Sequence, residues 1–322
     1  MSSQLGEIHL KVPDALGDTV ISTAVGYAIK DALPESRLVV YAKARDLLEN
    51  IPEIDELKDP QEAENIEEIV DLSRYLDRMP HTTAPYLSLA SCMISETEEN
   101  LRKRGIDVFL KKSYKPSINL TDQEKEFGWD ETKKLRSKYE GEKYIAWIST
   151  KTSSPNRDWP QEYWQEVFSE AGDKYLFVEL LGPGQKKISE DIESACYSPR
   201  ETVSFIRVAV AGITLDTFTL HAAAAVDANR VITLLGSSNP AVVSYPGFTD
   251  LFVKSEKTAR CQPCGNHGYF SGGKLRELES ELGVTFNSCN RCIFPEGSEN
   301  EYACMKQVTP GKVIDTLRGL LG

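Results

Sequence analysis

The sequence predicts an α/β protein whose two halves each alternate strand and helix. Three observations carry this. The chain has 322 residues, more than one hydrophobic core usually serves, so two domains are expected. Near the N-terminus a strand at Glu7–Val12, a helix and a second strand at Arg37–Tyr41 follow in quick succession, the βαβ unit of a parallel sheet. Beyond residue 141, apolar strands at Tyr144–Ile148, Tyr175–Leu181 and Arg230–Gly236 again alternate with helical patterns.

Taken in order, Pro13–Gly17 is a turn and Asp18 opens a helix that runs to about Leu33, where Pro34 ends it. Val20, Ile21, Ala24, Ala28 and Ile29 repeat at helical spacing and form its core face. A further helix is expected over Ala44–Asn50, with short strands at Ile54–Leu57 and Glu68–Leu72. From Leu76 to Asn119 helical and irregular segments mix without a clear order. A charged helix over Asp122–Tyr139 precedes a domain boundary near Glu140. The second half begins with Tyr144–Ile148, followed by a loop dense in hydroxyls, Ser149–Trp159, and by Pro160 at the first position of the next helix. The expected division is therefore an N-terminal domain over 1–140 and a C-terminal domain over 141–308, the latter including a Cys-rich insert at 261–304. A final amphipathic helix covers 309–322.

Composition narrows the function. Hydrophobic residues make up 40% and charged residues 27%, the balance of an ordinary soluble domain. A formal net charge of −12 argues against nucleic acid as the main partner, because phosphate neutralisation needs a basic face. The N-terminus shows no secretory pattern and no apolar run is long enough to span a bilayer, so a cytoplasmic protein with at most peripheral membrane contact is expected. In that compartment seven cysteines point to metal ligands or buried thiols rather than disulfides.

The stretch Ile213–Ala225 reads as a strand end followed by a helix capped by Asp216. Thr217, Phe218 and Thr219 would then offer backbone N–H groups where the helix dipole is positive, a site for a phosphate or diphosphate. His221 lies one turn after Thr217 on the same face. The same pattern also describes a capped core helix with a histidine on its flank. Asp18, at the carboxyl end of the first strand, reads either as a helix cap or as a general base facing a cleft. A helix N-terminus would lower its pKa and weaken it as a resting base. Arg157 reads as a surface residue or as a guanidinium fork for a diphosphate.

Several spaced motifs resemble glycosyltransferase family 9, the lipopolysaccharide heptosyltransferase group. Leu16-Gly17-Asp18-Thr19 resembles the family's opening Gly-Asp motif, and Ile51–Leu57 is similar to its Asn-Pro-x-Ile-Asp-Glu segment. Thr152, Ser153 and Asn156–Pro160 look like its donor-phosphate loop, with Arg157 at the place of a basic residue. Asp216–Ala224 resembles its Asp-Thr-Gly-x-x-His-x-x-Ala signature, and Gly236–Pro240 follows at the family's distance. The resemblance implies a GT-B architecture, two Rossmann-like domains facing across a cleft. It implies an inverting transferase of hexosyl or heptosyl groups, with Asp18 as base. A nucleotide-diphosphate sugar would be held by Thr152, Ser153, Arg157, Asp216, Thr217, Phe218, Thr219 and His221, and the acceptor would be a carbohydrate or glycolipid, as in lipopolysaccharide biosynthesis. It implies no catalytic cofactor, and the absence of an Asp-x-Asp motif fits metal-independent transfer. The alternatives are a sugar-nucleotide epimerase on the same fold and a catalytically silent nucleotide-binding scaffold. Phe218 departs from the family's glycine: it keeps the N–H but adds a side chain that must point elsewhere.

Cys261-x-x-Cys264 and Cys289-x-x-Cys292 form two Cys-x-x-Cys pairs, a pattern for a closed tetrahedral structural zinc. Their separation is somewhat longer than usual, and free thiols are the alternative.

Overall fold

In the computed structural model, residues 6–78, 87–139, 143–259, 261–263, 279–280, 283 and 292–320 are described. The expected boundary residue Glu140 lies outside them.

The first half contains β1 (Glu7–Lys11), α1 (Leu16–Ala32), β2 (Arg37–Tyr41), β3 (Glu56–Lys58), β4 (Ile69–Asp71) and α2 (Leu89–Lys103). Its four strands pair in parallel in the order β3-β2-β1-β4. In the second half, α3 (Asp122–Ser137) precedes β5 (Tyr144–Ile148), α4 (Gln161–Ala171), β6 (Tyr175–Leu180) and β7 (Glu193–Ala195). Then come α5 (Pro199–Val208), β8 (Ala211–Thr214), α6 (Phe218–Ala225), β9 (Val231–Leu235) and β10 (Thr249–Phe252). Here the parallel order is β10-β9-β8-β5-β6-β7. Renumbered within its half this is 6-5-4-1-2-3, the doubly wound order, with its reversal between β5 and β8. The first sheet reverses in the same way between β1 and β4.

Both sheets are covered on two faces, which is why their central strands are apolar runs and not alternations. Leu38–Tyr41 and all of β6 are buried, including Glu179. That buried carboxylate is satisfied by the Thr150 hydroxyl and by the Ile188 N–H at 2.9 Å. In the second sheet Gly212 lies under the Trp147 indole; a Cβ there would sit 2.1 Å from the ring, so only glycine lets β8 pair with β5 at this point.

The two halves meet through α1 and α6. All five apolar residues expected on the core face of α1 are buried, but Thr19, Ser22, Thr23, Val25 and Gly26 are buried with them. The helix is enclosed because α6 covers the side that the first sheet leaves open. Alanines at 222–225 keep that contact close, and Val20 and Leu47 share a core with Ala222 and Ala223. The chain passing between the halves is stitched to both helices: the Ser117 N–H donates to Thr23 Oγ1 (2.9 Å) and the Ile118 N–H to the Ala225 carbonyl (3.2 Å). Arg200, buried in α5, fastens the same joint by donating to the Glu124 carboxylate, the Asn119 carbonyl (2.7 Å) and the Asp46 carbonyl (2.9 Å). Its hydrogen bonds to the Glu124 carboxyl hold that group down at about 2.

The structure corrects several sequence expectations. Helix α1 starts at Leu16, two residues before Asp18, with Ala15 at the cap position. The helix expected over Ala44–Asn50 is a single 3₁₀ turn, Arg45–Leu48, too short to propagate before Pro52. Pro160 has an extended ψ of 138° and precedes α4 as its cap residue instead of opening it. Helix α3 packs on α5, and its Leu135 joins the core of β5 and β6, so by packing it goes with the second sheet. The resemblance to family 9 also implies a C-terminal helix, 309–322, that packs back across the domain boundary. The helix, Pro310–Leu320, packs instead on α4 and β9, burying Val313, Ile314 and Leu317 in the second half's core, and Tyr175 donates to the Leu317 carbonyl at 2.7 Å. Among the described residues no helix is long and apolar enough to cross a membrane.

Candidate active site

In a parallel sheet, loops leaving two adjacent strands in opposite directions open a crevice at their carboxyl ends. Each half supplies one such crevice. In the first, the segment after β1 carries Gly17 and Asp18, and the turn after β4, Leu72–Arg78, carries Tyr75. In the second, the loop after β5 carries Ser153 and Arg157, and the segment after β8 carries Asp216 and Thr217, leading into α6. The crevices face each other, and a cleft of about 400 Å³ is lined by all of these residues with Leu16, Phe218 and His221.

Gly17 allows the close approach of the two walls. A methyl group at this position would lie 3.0 Å from His221 Cδ2, 3.6 Å from Nε2 and 3.7 Å from Phe218 Cα. The N-termini of α1 and α6 are thereby brought to one point, with Asp18 on one and His221 on the other.

Asp18 does not cap its helix. It accepts a hydrogen bond from the Tyr75 hydroxyl (Oδ1, 2.8 Å). Its pKa is raised to about 6, against the lowering expected from a helix N-terminus. Burial disfavours its charge; the Tyr75 bond and Arg157 pull the other way, and Asp216 adds to the rise. A carboxylate near 6 is mostly ionised at neutral pH yet basic enough to take a proton.

Asp216 is not a cap either. Helix α6 begins at Phe218 with Thr217 at the cap position, and the Thr217 side chain makes no capping bond. The buried Asp216 carboxylate instead accepts from Ser238 Oγ (Oδ2, 2.6 Å) and faces Arg157 Nη1 at 3.3 Å. Arg157 is not a surface residue: its Nη1 donates to the Asp216 carbonyl (2.7 Å) and its Nη2 to Ser153 Oγ (2.7 Å). Among the described residues, none accepts a hydrogen bond from the buried Nε of Arg157. A guanidinium fixed this way, beside the N–H groups opening α6, presents converging donors to an anion.

His221 is buried, and burial drops its pKa to about 4, so the ring is neutral at physiological pH. Its Nδ1 bonds the Tyr245 hydroxyl at 2.8 Å, and burial raises the Tyr245 pKa so that the phenol keeps its proton. In the tautomer where Tyr245 donates to Nδ1, the imidazole carries its hydrogen on Nε2, on the edge toward Gly17.

Two expected donor-binding residues are elsewhere. Thr152 does not line the cleft: its N–H and hydroxyl both bond Asp158 Oδ1 (2.8 and 2.9 Å), which shapes the loop that carries Arg157. Thr219 turns its hydroxyl inward to Thr214 Oγ1 (2.8 Å) and leaves only its backbone for a ligand. Phe218 packs its ring against the core shared by α1 and α6 and keeps its N–H at the helix opening. Tyr75, Tyr245 and Ser238 were not anticipated. Ser238 lies in the Gly236–Pro240 segment, but nothing in the local sequence marks Tyr75 or Tyr245, because their partners lie in distant segments. Of the cysteines expected to bind zinc, Cys264 and Cys289 lie outside the described residues. Among those described, no group of three or more His, Cys, Asp or Glu could hold a metal. A larger cavity of about 510 Å³ lies at the other end of α6 near Ala224 and Asp227; Tyr245 borders it, but Asp18, Tyr75, Arg157, Asp216 and His221 line the smaller cleft.

Comparison with known proteins bears on the fold and the family. No curated protein matches the sequence. Among solved structures, a family 9 glycosyltransferase from Veillonella parvula superposes with a TM-score of 0.66 at 14% identity, covering 99% of this chain and 98% of its own. The ADP-heptose lipopolysaccharide heptosyltransferase II of E. coli gives 0.59 at 14% identity, with 98% of each chain covered. The iron-containing dodecameric glycosyltransferase TibC of enterotoxigenic E. coli gives 0.67 at 15%, covering 100% of this chain and 77% of its own. These likenesses establish the GT-B fold. A model of glycosyltransferase family 9 (heptosyltransferase) matches residues 96–268, more than half of the chain. The chain therefore belongs to glycosyltransferase family 9.

Proposed function

We propose that this protein transfers a hexose or heptose from a nucleoside-diphosphate donor to a carbohydrate or glycolipid hydroxyl, with inversion at the anomeric carbon. The observation that carries the reading is the opposition, across one cleft, of a buried carboxylate with a raised pKa and an anion-binding wall made of Arg157 and the N-terminus of α6. The acceptor oxygen would bond to the anomeric carbon as its proton passes to Asp18. The bond from that carbon to the diphosphate oxygen breaks, and the electron pair leaves on the nucleoside diphosphate. Arg157, the N–H groups of Phe218 and Thr219, and the neutral His221 would stabilise the departing charge by hydrogen bonds already in place. The E. coli relative takes ADP-heptose by its name, which makes an ADP-linked heptose the first donor to try. The direct test incubates the protein with nucleotide-sugar donors and glycolipid or oligosaccharide acceptors. Nucleoside diphosphate should be released only when acceptor is present, and NMR should show the product with the opposite anomeric configuration to the donor. Retained configuration, or donor consumed equally without acceptor, would sink the proposal.

A structural zinc at Cys261, Cys264, Cys289 and Cys292 is proposed on their two Cys-x-x-Cys spacings alone. Purified protein should then carry about one zinc per chain, and chelation should lower its thermal midpoint. Metal analysis that finds none refutes it.

A further inference from the structure

We propose that Tyr75 is a positioning residue for this reaction, its hydroxyl holding one oxygen of Asp18 so that the other is presented to the acceptor. The inference rests on Asp18 being the base. The geometry comes from the first sheet. Strand β4 lies beside β1 in register, Lys11 opposite Asp71, so the segments leaving their carboxyl ends emerge side by side. One leads to Asp18 and the other turns through Leu72–Arg78, which places the Tyr75 hydroxyl 2.8 Å from Asp18 Oδ1. Tyr75 is 2% exposed and packed among the apolar residues of the first half, so its ring is not free to swing away. The bond takes Oδ1 and leaves Oδ2 as the oxygen that can accept a proton from substrate.

Among the described residues, the other charged or titratable groups facing Asp18 come from the second half. Asp216 and Arg157 act on it in opposite directions, and the phenol of Tyr245 and the neutral ring of His221 lie beyond them. Among the described residues Tyr75 reaches it from its own half, and its bond favours the ionised form. Without that bond the carboxylate would bind its proton more tightly and rotate about its last torsion.

The test is the pH profile of kcat/KM for acceptor, measured on wild type, Tyr75→Phe and Asp18→Asn. Phe keeps the ring and the packing. The acidic limb, expected near pH 6 in wild type, should move up by about one pH unit in Tyr75→Phe, the size of a lost charge-assisted hydrogen bond. Activity at pH 6 would then fall about fivefold, with most of it restored by pH 8 and the donor KM unchanged. Placing 3-fluorotyrosine at position 75, a stronger donor of nearly the same shape, should move the limb down. A limb that stays in place in both variants, with any rate loss uniform across pH, would reduce Tyr75 to a packing residue. That result with Asp18→Asn inactive overturns only this inference. Active Asp18→Asn overturns the reading of the site on which it rests.

Discussion

Asp18→Asn should lower the transfer rate by roughly 10²–10⁴-fold at neutral pH, with donor affinity and thermal stability close to wild type. Asparagine is the informative substitution because its side-chain oxygen can still accept from the Tyr75 hydroxyl, so the wall of the cleft is preserved while the proton acceptor is lost. Stability should hold for a second reason. Asp18 does not cap α1, so no helix-terminal bond is lost, and an amide removes the burden of a buried charge. In wild type the rate should rise through pH 6, since the group is a base only when ionised and its pKa lies at about 6. The acidic limb should vanish in the variant. Steady-state transfer assays with donor titrations check both statements, and a near-normal rate for Asp18→Asn would remove it from the mechanism.

Arg157→Gln should weaken binding of a nucleoside diphosphate by about 10- to 150-fold, the loss of one charge-assisted hydrogen-bonding group. The structure adds a qualification to that substitution. Arg157 also faces the carboxylate of Asp216, which is 3% exposed, and removing the guanidinium takes a positive charge away from that buried carboxylate. Some loss of stability is therefore expected, and Arg157→Lys, which keeps the charge but not the fork, should recover part of it without restoring full affinity. The separating measurement is calorimetry with two ligands. Nucleoside lacking phosphates should bind wild type and Arg157→Gln alike, while the diphosphate should discriminate. Equal losses for both would show that Arg157 shapes the site and does not touch the phosphates.

The sequence alone determined what short-range pattern can encode. Strands enclosed on both faces must be apolar throughout, and α1 must place Val20, Ile21, Ala24, Ala28 and Ile29 on one face, so the alternation of elements was readable residue by residue. Asp18, Arg157, Asp216, Thr217 and His221 were readable as candidates because each sits at a strand end or helix opening, where open α/β sheets place their ligands.

Only the tertiary structure decided what those residues do. A helix N-terminus lowers a carboxylate pKa, and local reasoning stops there. The second half of the molecule closes over Asp18 and burial outweighs the helix, so the sign reverses. Asp216 has a capping side chain in sequence, but folding brings Ser238 and Arg157 to it, and its oxygens go to them. Tyr75 reaches Asp18 only because β4 pairs with β1, and Tyr245 reaches His221 only because the chain returns past α6 after β9. The allegiance of α3 and of the C-terminal helix to the second sheet was equally hidden, since an amphipathic helix specifies a buried face but not the partner that buries it. Hydrophobic periodicity acts over a few residues, whereas charge burial and hydrogen-bond partners are set by segments that meet only in the folded chain.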